Sequence, residues 1–162
     1  ESTVNMFLNA DDFDGTLTNG EICYYEKYME FKTFNAKDGL GIKTAINQGL
    51  KVCIITGRES PITKYRSDEL GCQYLFQNIQ NKVPVLENLC DKLGLSPREV
   101  AYVGDDVNDI GVMEICGFTA CPSDAAIDIL ERVDFVSKFE GGKGAVREVI
   151  EMILKIQDKW PV

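Results

Sequence analysis

Four short segments carry side chains that could do chemistry together. They are Asp12-Phe13-Asp14-Gly15-Thr16-Leu17-Thr18, Thr56-Gly57-Arg58, Lys82, and Gly104-Asp105-Asp106 with Asp109. Two carboxylates one residue apart, a hydroxyl, a lysine and a further acidic cluster suit metal-dependent transfer of a phosphoryl group to an aspartate. An aspartate such as Asp12 can attack phosphorus and split one hard displacement into two easier ones. A second carboxyl, Asp14, can protonate the departing alcohol and later accept a proton from the hydrolytic water. Gly15 lets the backbone turn and approach a ligand closely. Taken singly, each segment also has an ordinary reading: a solvated acidic turn, a strand-end threonine, a helix-start lysine, a capped turn.

The elements that must position these groups alternate along the chain. Apolar runs at 7–11, 51–56, 73–76, 100–103, 118–121 and 134–136 read as strands, and 51–56 is continuous enough for a central parallel strand. Helical patterns fall near 38–48, 60–70, 82–93, 108–116, 124–131 and 143–159. Ser60-Pro61 predicts an N-cap with proline at the first helical position, and Ser96-Pro97-Arg98-Glu99 has capping-box spacing. Gly49, Gly71 and Gly94 stand where helices should stop. Repeated β-then-α units predict an α/β fold, a doubly wound parallel sheet with helices on both faces. In such a sheet the chemical segments, at strand ends or a helix start, face one crevice. The 162 residues make a single domain, 1–162, with no repeat or linker.

Residues 21–34 break the rhythm. They are rich in aromatics, partly alternating, and read as a β-hairpin projecting after the first strand. Tyr24, Tyr25, Tyr28, Phe31 and Phe34 are more apolar surface than a free hairpin solvates. Either the hairpin folds back onto its own domain or it forms a subunit interface, and the concentration of aromatics favours the interface.

Composition removes several classes of function. Seventeen Lys and Arg stand against 26 Asp and Glu, a formal charge of −9, which argues against nucleic acid or an anionic membrane as partner. The same acidity calls for a divalent cation if the substrate is anionic. With no histidine, histidine triads, histidine general bases and histidine-ligated zinc are excluded. The six cysteines form no C-x-x-C pair and read as buried thiols of a reducing, cytoplasmic compartment. No secretory segment or stretch of transmembrane length is present. The first residue is Glu1, which leaves open a domain cut from a longer protein.

Asp12-x-Asp14-Gly15-Thr16-Leu17-Thr18 resembles the signature of the haloacid dehalogenase superfamily of phosphatases. Thr56, Lys82 and Gly104-Asp105-Asp106-x-x-Asp109 resemble its remaining motifs in order. Too little sequence lies between Asp14 and Thr56 for a cap domain. The chain is therefore similar to the small capless branch that includes the 3-deoxy-D-manno-octulosonate 8-phosphate phosphatases. Residues 34–42, Ile55-Thr56-Gly57-Arg58, 101–106 and 141–148 share in that resemblance, which runs from about Phe7 to about Leu154.

The resemblance implies a Rossmann-like domain and a Mg²⁺-dependent phosphatase acting through an aspartyl phosphate on Asp12. Asp12, Asp105 and the backbone carbonyl of Asp14 would hold the metal, and Thr56 would bind a phosphoryl oxygen. Lys82 would offset negative charge, while Asp106 and Asp109 would orient Lys82 and metal-bound water. Thr56, Gly57, Arg58, Arg66 and Lys82 form the expected substrate-binding set. Arginine pairs bidentately with a carboxylate such as a 2-keto sugar acid supplies. Arg58 should sit at the crevice mouth and Arg66, two helical turns on, along the same side.

The implied substrate is 3-deoxy-D-manno-octulosonate 8-phosphate, of lipopolysaccharide biosynthesis, and the implied assembly a homotetramer in which hairpin and C-terminal tail close a neighbour's site. Asn35, where histidine is expected, keeps 9-phosphates of nonulosonic acids such as sialic acid open. A phosphatase-like tetramerisation domain of a sugar-nucleotide synthetase is a further alternative, weakened because Asp12 and Asp14 are both present. A phospho-accepting receiver domain would need an aspartate where the 51–56 strand ends, and Thr56 stands there.

Overall fold

The computed structural model describes residues 4–10, 13–27 and 29–162. Expectations that rest on Asp11, Asp12 and Tyr28 lie outside these residues. In chain order the elements are β1 (Met6–Ala10), β2 (Cys23–Tyr25), β3 (Met29–Phe31), α1 (Ala36–Asn47), β4 (Lys51–Ile55), α2 (Pro61–Leu70), β5 (Tyr74–Phe76), α3 (Lys82–Leu93), β6 (Val100–Val103), α4 (Ile110–Met113), β7 (Phe118–Cys121), α5 (Ile127–Leu130), β8 (Phe135–Val136) and α6 (Ala145–Ile156).

The six long-range strands form one parallel sheet in the order β5-β4-β1-β6-β7-β8. From β1 the chain builds outward to β4 and β5, then returns to the other side of β1 for β6, β7 and β8. That reversal is the topological switch point, where a crevice opens at the C-terminal strand ends. The register keeps these ends level: Ala10 lies opposite Ile55, and Asn9 opposite both Ile54 and Val103.

Strand alternation divides the core in two. Val52, Ile54, Ala101 and Val103 face α1, α2 and α6, whereas Cys53, Ile55, Val100 and Tyr102 face α3, α4 and α5. Both faces of β4 and β6 are buried, which is why these strands read as unbroken apolar runs. Helix α6 buries Val146, Val149, Ile150, Ile153 and Leu154, a stripe at i, i+3, i+4, i+7 and i+8, against the α1 side of the sheet. Each such aliphatic side chain contributes about 1.5–3 kcal/mol of burial. Among the described residues no helix is long and apolar enough to cross a membrane.

Several local expectations meet their residues. The capping box at Ser96 and Glu99 is closed in both directions, and Gly71 and Gly94 end α2 and α3 in the left-handed region at φ 78° and 67°. Three expectations change. Ser60 occupies the N-cap position of α2 but its hydroxyl makes no capping hydrogen bond. The helix expected over 108–116 is a 3₁₀ turn at Val107–Asp109 followed by the single turn of α4. The one expected over 124–131 shrinks to α5. Both stretches hold Asp and Gly or Pro at their edges, residues that prefer backbone hydrogen bonds outside a regular helix.

The glycine-rich entry to α6 is closed by a group far away in sequence. The buried Asp38 carboxylate accepts the Gly144 N–H at 3.2 Å and the Arg147 N–H at 2.9 Å. The positive end of α6 is thus satisfied from within the chain, and an external anion is not needed there. Burial raises the Asp38 pKa above the ordinary carboxylate value, against the pull of those two N–H groups.

Candidate active site

The level strand ends deliver the predicted segments to one crevice. The turn Phe13–Leu17 follows β1, Thr56-Gly57-Arg58 follows β4, and Gly104-Asp105-Asp106 follows β6. Thr56 is buried, with its N–H on the Phe76 carbonyl at 2.9 Å and its hydroxyl accepting the Arg58 N–H at 3.3 Å. Lys82 opens α3, whose N-cap is Asn81, and is also buried.

Asp109 joins these parts. One carboxylate oxygen accepts from Lys82 Nζ at 3.1 Å and from the Tyr102 hydroxyl. The other accepts the N–H groups of Asp105 at 3.0 Å and Asp106 at 3.2 Å. A fully buried charge is tolerable only when paired and hydrogen-bonded, and here both Asp109 oxygens are served. The effect is to fix Lys82 and the Gly104–Asp106 backbone relative to each other. A Cβ at Gly104 would strike the Asp109 carboxylate, so only glycine admits this packing. Asp106 is spent locally: it caps the 3₁₀ turn through the Val107 N–H at 2.7 Å.

Asp14 is held from two sides. Lys32 Nζ lies 2.5 Å from Asp14 Oδ1, and Arg58 Nη1 lies 3.4 Å from Oδ2. Glu30 completes the group, 3.3 Å from Arg58 Nη2 and 3.6 Å from Lys32 Nζ. Lys32 is almost wholly buried, its side chain 1% exposed. The hairpin therefore folds its Glu30 and Lys32 onto the crevice while Met29 and Phe31, the alternate positions, stay exposed. Lys32 and Glu30 were not anticipated from sequence. The available signal was their period-2 placement between Met29, Phe31 and Thr33.

The acidic turn rests on the glycine loop. Asp14 (φ −96°, ψ 96°) and Gly15 (φ 127°) break helical geometry, and the Thr16 carbonyl accepts the Gly142 N–H at 2.8 Å. A Cβ at Gly141 or Gly142 would collide with the backbone of Gly15 or Thr18. Residues 141–142 thus act as a backbone support for the turn.

A divalent ion is tested by the donor set. A Cβ on Gly15 would overlap the Asp105 carboxylate, so that carboxylate lies directly against the acidic turn. Carboxylate and carbonyl oxygens are hard donors suited to Mg²⁺. Among the described residues no three acidic, cysteine or histidine side chains gather as a metal group. The expected set includes Asp12, which lies outside those residues. Asp105 and the turn it abuts are compatible with the remainder of that set.

Other expected residues lie elsewhere. The Arg66 guanidinium stacks 5.3 Å from the centroid of Phe34 and pairs with Glu69 at 2.8 Å. Among the described residues it shares no ion-pair partner with Arg58. Asn35 caps α1, its side chain accepting the N–H groups of Lys37 at 2.8 Å and Asp38 at 3.3 Å. That use occupies the Asn35 Oδ1 atom in the fold itself. Three thiols are poor rival nucleophiles: burial pushes Cys72 to about 11 and Cys116 and Cys121 to about 12.

Residues 39–117 match the family model of the haloacid dehalogenase-like hydrolases. The chain is 40% identical over 155 residues to KdsC, the 3-deoxy-D-manno-octulosonate 8-phosphate phosphatase of Escherichia coli strain K12, covering 96% of this chain and 82% of that one. It superposes on the crystal structure of the Yersinia pestis phosphatase of the same name with a TM-score of 0.92 at 37% identity, covering 97% of this chain and 85% of that one. The Moraxella catarrhalis phosphatase, solved in complex with magnesium ion, phosphate ion and a KDO molecule, gives a TM-score of 0.91 at 34% identity, covering 97% and 90%.

Removing the Asp109 carboxylate takes a buried acceptor from Lys82, from the Tyr102 hydroxyl and from the N–H groups of Asp105 and Asp106 at once. Asp109→Ala is expected to lower the free energy of urea unfolding by about 3–5 kcal/mol. A loss under about 1 kcal/mol would show that Lys82 and the Gly104–Asp106 loop are held by other contacts.

Proposed function

The chain belongs to the KdsC family of phosphatases within the haloacid dehalogenase-like hydrolases, and from that premise we propose that it hydrolyses 3-deoxy-D-manno-octulosonate 8-phosphate through phosphorylation of Asp12. It is a phosphoric monoester hydrolase that works with Mg²⁺. The observation that carries the reading is the meeting of Asp14, Thr56, the Lys82–Asp109 pair and Asp105 at the level ends of β1, β4 and β6.

Asp12 is the nucleophile: one carboxylate oxygen attacks phosphorus as the bond from phosphorus to the sugar oxygen breaks. Asp14 gives its proton to that departing oxygen. In the second step Asp14 takes a proton from water as the water oxygen bonds phosphorus and the Asp12–phosphorus bond breaks, releasing inorganic phosphate and restoring the Asp12 carboxylate. Thr56 and Lys82 bind the phosphoryl oxygens, with Lys82 kept in place by Asp109. Asp12, Asp105 and the Asp14 backbone carbonyl would hold Mg²⁺, whose charge, when bound, offsets the repulsion between an anionic nucleophile and an anionic substrate.

The sugar acid is read by Arg58. Its guanidinium is about one-third exposed while anchored to Asp14 and Glu30, so it retains donors for a carboxylate at the crevice mouth. The free thiols and the absence of a membrane-length helix among the described residues support a cytoplasmic location. The assembly is a homotetramer in which hairpins cover neighbouring crevices. Tyr24, Tyr25, Met29 and Phe31 are all more than half exposed, which supports their use as an interface.

Three measurements test this reading. Asp12→Asn should abolish turnover of the octulosonate phosphate while leaving the far-ultraviolet circular dichroism unchanged; near-parental activity would refute the covalent route. Arg58→Ala should lower kcat/KM for the octulosonate phosphate by roughly ten- to a hundred-fold, about 1.5–3 kcal/mol, and that for p-nitrophenyl phosphate far less. Equal losses would mean that Arg58 serves Asp14 rather than the sugar acid, and faster turnover of a nonulosonate 9-phosphate would reassign the substrate. Light scattering at micromolar concentration should give the mass of four subunits; a monomer mass would remove the interface.

A further inference from the structure

We propose that Lys32 is a positioning residue for Asp14, so that the docked hairpin, and not the crevice alone, orients the acid–base carboxyl. The inference rests on the assignment of Asp14 as acid and base made above. Asp14 stands on a turn whose backbone departs from helical geometry at Asp14 and Gly15, and both of its carboxylate oxygens bear a cation. The two cations come from different elements. Arg58 belongs to the loop after β4, is about one-third exposed, and reaches Oδ2 at 3.4 Å. Lys32 follows β3, is buried, and meets Oδ1 at 2.5 Å.

Burying an ammonium removes it from water, and a surface role would not require it. The cost is offset here by Asp14 and by Glu30, itself only 14% exposed and shared between Lys32 and Arg58. Two basic and two acidic side chains form a square across the seam between hairpin and crevice. With Oδ1 and Oδ2 held from opposite elements, rotation of the Asp14 carboxyl is blocked. Its oxygens face a fixed direction as the proton moves first to the leaving alcohol and then from water. The charged partners of Lys32 among the described residues are Asp14 and Glu30, and it acts through the Asp14 carboxyl.

The leaving group separates this role from a structural one. p-Nitrophenolate departs without taking a proton, so phosphorylation of Asp12 by p-nitrophenyl phosphate bypasses Asp14, whereas hydrolysis of the phospho-enzyme does not. In stopped-flow measurements on the full chain with Mg²⁺, Lys32→Met should release about one nitrophenolate per subunit in a fast burst. Steady turnover should then be slower than the parent's by roughly 10- to 100-fold. Lys32→Arg should restore most of that turnover. Asp14→Asn provides the reference and should show the same burst followed by slower turnover.

If Asp14→Asn turns over at the parental rate, the assignment of Asp14 fails, whatever Lys32 does. If Asp14→Asn shows the burst while Lys32→Met slows both phases equally, or neither, the positioning role is overturned and the assignment stands. Should Lys32→Met not fold, Glu30→Gln, which loosens the same square, should show a burst with a smaller slowing. Its absence would equally overturn the inference.

Discussion

The buried carboxylate of Asp109 is the contact on which the crevice depends. It gathers a lysine from the start of α3, a tyrosine from β6 and two backbone N–H groups from the loop after that strand. Without it, the buried Lys82 ammonium and Tyr102 hydroxyl would each lose an acceptor inside the protein, and the Asp105 and Asp106 N–H groups would lose the oxygen that draws them together. A charge in such a place stabilises one arrangement by making the others costly. The loop that bears Asp105 and the ammonium of Lys82 are thereby parts of a single rigid unit, independent of what binds between them.

A second unit is built on the opposite side of the crevice by the hairpin. Its two rows of side chains have opposite tasks. Glu30 and Lys32 enter the charge square with Asp14 and Arg58, while Tyr25, Met29 and Phe31 lie on the alternate, exposed face. Neither reading of the hairpin drawn from sequence excludes the other: one row folds back onto the domain and the other remains open to a partner. Two short strands are marginally stable on their own. The ion pairs with the crevice are what attach the ribbon to the domain on this side.

What was legible in sequence followed from local periodicity. The α3 helix at 82–93 and the strands at 100–103 and 118–121 are found with the boundaries their patterns give. The common crevice followed from alternation of strands and helices, because parallel topology leaves few places for strand ends. Less was legible wherever a partner is distant. Nothing near Asp38 announces that it closes α6, more than a hundred residues away in sequence. Arg66 is two turns from the mouth of the crevice along α2, yet the α1 glycine Gly39 opens a closer resting place over Phe34, and the guanidinium lies there. Lys32 is one of several lysines in a charged stretch. Only the twist and docking of the hairpin decide that it, and not Lys27, turns inward. The short 3₁₀ and α-helical turn after Asp106 was likewise decided by side-chain capping at Asp106 and Asp109, which overrides helix propensity.

The support beneath the acidic turn has a consequence for the order in which this protein is made. The turn that carries Asp14 lies near the start of the chain, while Gly141 and Gly142, on whose backbone it rests, lie near the end. The central strand β1 likewise waits for β6 on one flank. A nascent chain elongating from its N-terminus therefore holds its acidic turn unsupported until residues 141–142 have left the ribosome. Long separation between contacting partners also slows closure, because the loop entropy is spent before the contacts form. A chain that stops short of residue 141 carries the acidic motif without the backbone that supports its turn.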